Sequence, residues 1–393
     1  NSGSSTLKFD LAQINAGGEF RRLARGMVDR IGAQAEFSTE AVGATQRKRV
    51  SVADHHEAVS VALDWLARAV PTPIDAVGHR VVHGGERFVA PARVNDAMLA
   101  ALGELSDLAP LHNPTALQAI GASREILGRD MPMAAVFDTA FFHALPPRAA
   151  TYALPREIIE RHRIRRYGFH GIAHESMLRR YAEIQRVPVE RATLITLQLG
   201  NGCSVAAIQE GRAVDTSMGF TPLEGLVMGT RCGDLDANLV SFIALKEKVP
   251  MAALERILNK ESGLLGVSGI SADMRELLAA ETTDWRAALA IELFCYRARK
   301  YIGAYLAALG GAQAILFGGG IGENSPEIRA RICEGMNWCG VRIDARRNAQ
   351  ALGREGRVGA DDSAVQLWTI AVDEARVIAQ HTRHLFATQG GGI

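Results

Sequence analysis

The chain has 393 residues, 48% of them apolar and 22% charged, with a formal net charge of +1. That length exceeds one ordinary core and points to two domains. The near-zero charge excludes a protein drawn as a whole to nucleic acid or to an acidic membrane, so any basic chemistry must be local. The five cysteines, Cys203, Cys232, Cys295, Cys333 and Cys339, are odd in number and lack a Cys-x-x-Cys spacing. This argues against a disulfide framework or structural zinc, and for a reducing, cytoplasmic setting. No apolar run reaches the roughly 18 residues of a membrane span, and no signal peptide is visible.

Residues 1–9, Asn-Ser-Gly-Ser-Ser-Thr-Leu-Lys-Phe, read as a polar turn running into a strand. The turn opens with neither a methionine nor a strand ahead of it, so further residues are expected upstream. Val59, Leu63, Leu66 and Val70 recur at helical spacing and predict a helix over 53–69. Residues 76–85 predict a buried strand ending in a Gly-Gly turn. Residues 108–114 form a loop, with Pro114 starting a helix to about Leu127. A short buried strand over 133–137 ends at Asp138, on the edge where α/β folds bind ligands. The second half begins near Phe141. Residues 165–171 predict a loop and 173–181 a helix. Leu-Gln-Leu-Gly-Asn-Gly-Cys-Ser at 197–204 lies between apolar runs and predicts a hairpin. Its glycines strip side chains from the turn and let backbone N–H groups approach an anion. Residues 215–222 and 228–236 predict long polar loops of the kind that serve sites. A long helix over 285–309 and a strand over 314–317 follow. Ser325 then caps a helix whose first residue is Pro326. A last strand over 364–371 and a helix over 373–386 close the chain. Strands alternating with helices predict an α/β fold. The two Gly/Ser/Asn turns suggest a duplicated domain with a phosphate chain lying between them. The expected domains are 1–140 with 376–393, and 141–375.

The residues alone leave two readings at most positions. Arg80 follows an apolar run and is either half of a structural ion pair or an anion ligand. Arg231 sits in a Gly/Thr loop and by itself reads as a solvated surface arginine. His170 reads equally as a satisfied core histidine or a donor. Asp138 at a strand end is an ordinary turn former or a functional acid. Asp273-Met274-Arg275 is an ordinary helix start, and Asp373-Glu374 supply helix N-terminal acids that the dipole favours. Lys8 is a solvated strand residue or a phosphate ligand. His79, His83 and His112 share no metal-binding spacing. Gly320-Ile321-Gly322-Glu323-Asn324 opens a helix near the C-terminus without the acidic residue that a dinucleotide fingerprint requires.

Nine segments, in order along nearly the whole chain, resemble the acetate kinase family. They are residues 1–9, Gly-His-Arg-Val-Val-His-Gly-Gly at 78–85, Leu-Ala-Pro-Leu-His-Asn-Pro at 108–114 and Phe-Asp-Thr-Ala-Phe at 137–141. Tyr-Gly-Phe-His-Gly at 167–171, Leu-Gly-Asn-Gly at 199–202 and residues 215–225 follow. Gly-Thr-Arg-x-Gly-Asp-Leu-Asp at 229–236 and Gly-Gly-Ile-Gly-Glu-Asn-Ser at 319–325 complete them. The resemblance implies two related α/β domains of the actin-like and Hsc70-like acetate and sugar kinase superfamily, with a cleft between them. It also implies a homodimer, Mg²⁺, and transfer of phosphate from ATP to acetate.

It further implies residue roles. Arg80, Asp138, His170 and Arg231 would be catalytic, with Asp138 either an acid/base or the partner that orients Arg80. A carboxylate acceptor brings no proton to remove, which makes orientation the simpler role. Arg80, Val82, Leu111, Phe169 and Pro222 would hold the acyl group, Val82 leaving little room beyond a methyl. Lys8, Gln198, Leu199, Gly200, Asn201 and Gly202 would take the phosphates. Asp273, Met274, Arg275, Gly320, Ile321, Gly322, Glu323 and Asn324 would take the nucleoside and α-phosphate. Asn1 and Glu374 would serve Mg²⁺. The chain departs from the family at Gln198, usually histidine, and at Cys232, usually serine. Rival expectations are a propionate kinase, and a same-fold ATP-hydrolysing or ATP-binding module without an acyl acceptor.

Overall fold

The structure, a computed structural model, describes residues 1–387 apart from Ser4, Ala16, Val42 and Leu111. It divides into two compact units, one of Asn1–His143 with the segment from Asp373 onward, the other of Ala144–Val372. No helix among the described residues is long and apolar enough to cross a membrane.

In the first unit an antiparallel meander joins β1 (Thr6–Ile14), β2 (Phe20–Asp29), β3 (Ala33–Ala41) and β4 (Ala44–Val52). The sequence signals above did not include β2 to β4. Runs such as Phe-Arg-Arg-Leu-Ala-Arg hide their alternation, because one face is solvated and carries cross-strand ion pairs. Arg25 on β2 stands directly opposite Glu40 on β3, with Nη2 2.7 Å from the carboxylate. The other face buries Leu7, Val28, Phe37 and Val52 against the helix His55–Ala69. Burying each such side chain stabilises by about 1.5–3 kcal/mol. Asp54 caps that helix by accepting from the Glu57 N–H, so it starts two residues later than the apolar spacing suggests.

A second, three-stranded sheet has the order β5 (Val77–Val81), β7 (Met133–Phe137), β6 (Ala92–Arg93), with β5 and β7 parallel. β7 is buried throughout, whereas β5 is half-buried up to Val81. β5 is an edge strand, and its partial exposure corrects the expectation of a buried one. The closing helix, Glu374–Ala387, packs so closely on β5 that a Cβ at Gly78 would lie 2.5 Å from both Ile378 and Thr382.

The second unit holds a six-stranded sheet. Its strands are β8 (Leu194–Leu199), β9 (Cys203–Gln209), β10 (Arg212–Thr216), β11 (Ala314–Gly318), β12 (Gly356–Arg357) and β13 (Gln366–Thr369), in the order β10-β9-β8-β11-β13-β12. β8 and β9 form the expected hairpin around residues 200–202, and β8, β11 and β13 run parallel. The first unit repeats this plan in part, an antiparallel meander followed by a parallel pair. β10 takes in Asp215 and Thr216, so the loop after it starts later than expected. β13 is also shorter than the 364–371 expected. The helix Trp285–Leu309 runs as its pattern predicts, with Asp284 accepting from the Arg286 N–H at one end and Gly310 left-handed at the other.

Candidate active site

In the first unit the side chains converge on the ends of β5 and β7. Arg80 donates through Nε and Nη2 to the two oxygens of Asp138, at 2.9 and 2.6 Å. Asp138, fully buried, is the first residue after β7. This bidentate fork fixes the guanidinium plane. Nη1 donates to Asn1 Oδ1 at 3.1 Å and lies 4.0 Å from Glu374 Oε2, which accepts from Asn1 Nδ2 at 2.9 Å. Burial opposes the charge on Arg80, but Asp138 and Glu374 outweigh it and raise its pKa. Val82, the residue after β5, is half-buried, Lys8 is exposed on β1, and Leu111 lies outside the described residues.

The second unit brings His170 and Arg231 to one glycine. A Cβ built on Gly202 would lie 3.3 Å from His170 Cε1, 3.4 Å from Nε2 and 3.6 Å from Arg231 Nη1. The turn thus leaves a cradle open between an imidazole and a guanidinium. His170 holds a left-handed backbone (φ 58°) just before the helix Gly171–Gln185, a conformation that costs a non-glycine residue about 1 kcal/mol. Arg231 Nη1 donates to the Pro222 carbonyl at 3.1 Å, and among the described residues no carboxylate pairs with Arg231. Burial accordingly lowers its pKa, with only Cys203 opposing. A shielded guanidinium without a counter-anion is a standing site for one.

The backbone around Arg231 is clamped from several sides. Gly229 N–H donates to Asn201 O at 2.9 Å, Ser262 N–H to Thr230 O at 3.1 Å and Cys232 N–H to Leu258 O at 3.1 Å. The Cys232 clamp lands inside a π-helical turn, Ile257–Glu261, a distortion frequent at functional sites, and the Ser262 clamp directly follows it. Arg166, not singled out from sequence, donates through Nη1 to the carbonyls of Thr216, Ser217 and Met218 and through Nη2 to Glu224. It thereby fixes the loop that supplies Pro222. Only the Gly-rich composition of that loop hints that it needs such a brace.

The remaining expected ligands divide. Gln198, the last residue but one of β8, has its Nε2 2.9 Å from where a Cβ on Gly319 would stand; its Oε1 is buried without a hydrogen-bond partner among the described residues. Leu199 and Gly200 lead into the turn, and Gly200 N–H donates to Gly202 O. Phe169 is fully buried. Gly320, Ile321, Gly322 and Asn324 form a short helix after β11. Glu323 Oε1 accepts from Gly319 and Val372 N–H, so that oxygen serves the fold. Asp273 caps the helix Met274–Ala280 and forks with exposed Arg275, and Met274 is buried. Asp284 and Arg286 build the same fork at the next helix start. The motif by itself is therefore local capping.

Substituting Gly202→Ala should place a methyl between His170 and Arg231, lowering turnover about 10–100-fold while moving Tm by no more than a degree or two. Unchanged turnover, or a Tm drop well beyond a degree or two, would contradict this. A second expectation concerns acid stability. Burial holds His79 and His174 down to about 3 and His83 to about 4. Unfolded, each titrates near 6.5. Below that pH the unfolded chain binds protons that the fold refuses. Stability is thus complete above pH 6.5 and should fall toward pH 4, by up to about 1.4 kcal/mol per pH unit per histidine. Urea midpoints at pH 7.5, 6.5 and 5.5 measure it, and a flat series would contradict it.

A shielded guanidinium with no carboxylate partner among the described residues, an imidazole across an open glycine and glycine turns at the strand ends suit an anion such as a phosphoryl group, and the family of this chain is one of phosphotransferases. Its acceptor is a carboxylate, as the chain's relatives show. The model of the Acetokinase family matches residues 1–380, and the chain belongs to that family. An acetate kinase of Solibacter usitatus is 48% identical, the match covering 97% of this chain and 96% of the relative. The crystal structure of Porphyromonas gingivalis acetate kinase superposes with a TM-score of 0.90 at 37% identity, covering 98% of both chains. A propionate kinase from Francisella tularensis gives a TM-score of 0.90 at 35% identity, covering 97% of both.

Proposed function

We propose that this protein is a Mg²⁺-dependent acetate kinase, moving the γ-phosphoryl of ATP to acetate, reversibly, to give ADP and acetyl phosphate. The observation that carries this is Arg231 beside His170 with no carboxylate partner among the described residues, in a chain of this family. A carboxylate acceptor is ionised at neutral pH and needs no general base. Catalysis is then positioning and neutralisation of charge on the transferred group. Arg80, its plane fixed by Asp138, binds the carboxylate. Arg231 and the His170 N–H take the phosphoryl oxygens, in a direct in-line transfer. Gln198, Asn201 and Gly202 approach the phosphate chain, and the 320–324 segment approaches the nucleoside.

The residues fit Mg²⁺ sparsely. No group of three or more acidic, His or Cys residues suited to a metal occurs among the described residues, and Mg²⁺ is content with one or two carboxylates plus water and phosphate oxygens. Glu374 would hold it, while Asn1, bonded to both Glu374 and Arg80, orients that carboxylate. The ion supplies charge neutralisation at the nucleotide phosphates. The five thiols are unpaired, which suits a reducing cytoplasm.

Trapping acetyl phosphate as its hydroxamate, with ATP, Mg²⁺ and acetate, tests this. No hydroxamate at any acetate concentration overturns it, and ATP hydrolysis indifferent to acetate would favour a module without an acyl acceptor. Propionate kinase is the second reading, favoured by the Francisella structure. One methylene discriminates about 10–200-fold, and with Val82 at the acyl methyl we expect kcat/KM to favour acetate. A homodimer is also expected. Leu239, Phe242 and Leu245, on the helix Ala237–Glu247, and the nearby Met251 are exposed, an apolar face suited to a second copy. Light scattering should give twice the chain mass.

A further inference from the structure

Behind His170 runs a buried chain of polar groups that the transfer itself does not use. His170 Nδ1 lies 2.9 Å from Ser204 Oγ, Ser204 Oγ 2.8 Å from His174 Nε2, and His174 Nδ1 2.7 Å from Thr196 Oγ1. Ser204, His174 and Thr196 are fully buried. They sit on β9, on the helix Gly171–Gln185 and on β8, so three elements fix the spacing.

Counting protons decides the direction. His174 is neutral because burial lowers its pKa to about 3, so one ring nitrogen donates and the other accepts. Suppose Thr196 O–H donates to His174 Nδ1. His174 Nε2–H then donates to Ser204, and Ser204 O–H donates to His170 Nδ1. Both buried hydroxyl protons are placed, and the one proton of a neutral His170 is left on Nε2, the atom facing the Gly202 cradle. Suppose instead that His170 carries its proton on Nδ1 and donates inward. Either the Thr196 or the Ser204 hydroxyl proton then has no acceptor, since neither has another side-chain bond among the described residues. Protonating His170 at both nitrogens forces the same loss. Orphaning a buried hydroxyl weighs tenfold or more against that state. Arg231 approaches His170 from across Gly202, and its charge also opposes a second proton.

We propose that Thr196, His174 and Ser204 are positioning residues that lock His170 as the neutral tautomer with its proton on Nε2. This rests on His170 being the donor to the phosphoryl. The enzyme thereby presents a donor that needs no cation and does not discharge as pH rises through neutrality. The proton stays on His170 throughout, and no bond is made or broken in the chain.

The test is long-range ¹H–¹⁵N spectroscopy on the full-length, histidine-labelled protein without substrates, with the His170 signal assigned by its loss in His170→Asn. The expected result is a protonated Nε2 and a bare Nδ1 at pH 7. In Thr196→Val, a near-isosteric change, the bias disappears. The His170 ring should become a tautomer mixture, and its protonation should move up by about one pH unit. The acid limb of kcat/KM should move with it, whereas the acetate KM at pH 8 should hold within about twofold. Ser204→Ala provides a second break in the chain, should the first variant fold poorly, and should give the same mixture. A wild-type ring protonated on Nδ1, or spectra unchanged in both variants, overturns the proposal. The ring is read without turnover, so a protein that forms no acyl phosphate yet shows the Nε2 tautomer refutes the proposed activity and leaves the lock standing.

Discussion

Arg231→Ala should lower kcat by about 10³–10⁵, the scale on which a transition-state arginine contributes to phosphoryl transfer. The nucleotide KM should change no more than a few-fold. Its stability should not fall, and this separates a functional arginine from a structural one. Removing half of an ion pair strands a charge, but among the described residues Arg231 has no carboxylate to strand, and burial already opposes its own charge. An unchanged or higher Tm beside the lost turnover is therefore expected. Arg231→Lys should recover little, because an ammonium cannot reproduce a planar fork held by the Pro222 carbonyl. Near-normal kcat/KM in Arg231→Ala would remove this side chain from the mechanism.

Asp138→Ala should behave in the opposite way. It leaves Arg80, only 17% exposed at its side chain, without the carboxylate that takes two of its donors. Breaking such a shielded pair costs about 3–5 kcal/mol. The acetate KM should rise as well, since the guanidinium plane is then free to turn. The double variant Arg80→Ala/Asp138→Ala should be more stable than Asp138→Ala alone, because no uncompensated charge remains, while its activity stays lost. Denaturant unfolding of the four-member cycle measures this. Additive losses would mean that the two side chains do not act as a pair.

Both expectations start from residues whose types were legible in the sequence and whose surroundings were not. Arg80 and Asp138 each end an apolar run, and that placed them at strand ends. The sequence leaves Asp138 as either an acid/base or an orienting partner; that its two oxygens accept from Nε and Nη2 of Arg80 only the fold could show. Glu323 shows the reverse. The resemblance implies a nucleotide ligand there, and the fold adds that one of its oxygens accepts from two backbone N–H groups. The Asp273–Arg275 fork is likewise matched at Asp284–Arg286, so its local chemistry is capping.

What the sequence determined by itself is what neighbours along the chain decide. Asn-Gly turned β8 into β9, Asp284 and Gly310 bounded the long helix, and Ser325-Pro326 started another. Each depends on the dihedral preferences and capping groups of a few consecutive residues. The tertiary structure alone decided which groups meet from far apart. Gly202 lies between His170 and Arg231, Arg166 gathers three carbonyls some fifty residues on, and Thr196, His174 and Ser204 stack behind His170. Such meetings follow from how strands and helices pack. Packing answers to volume and burial summed over the whole core, which no local stretch of sequence encodes.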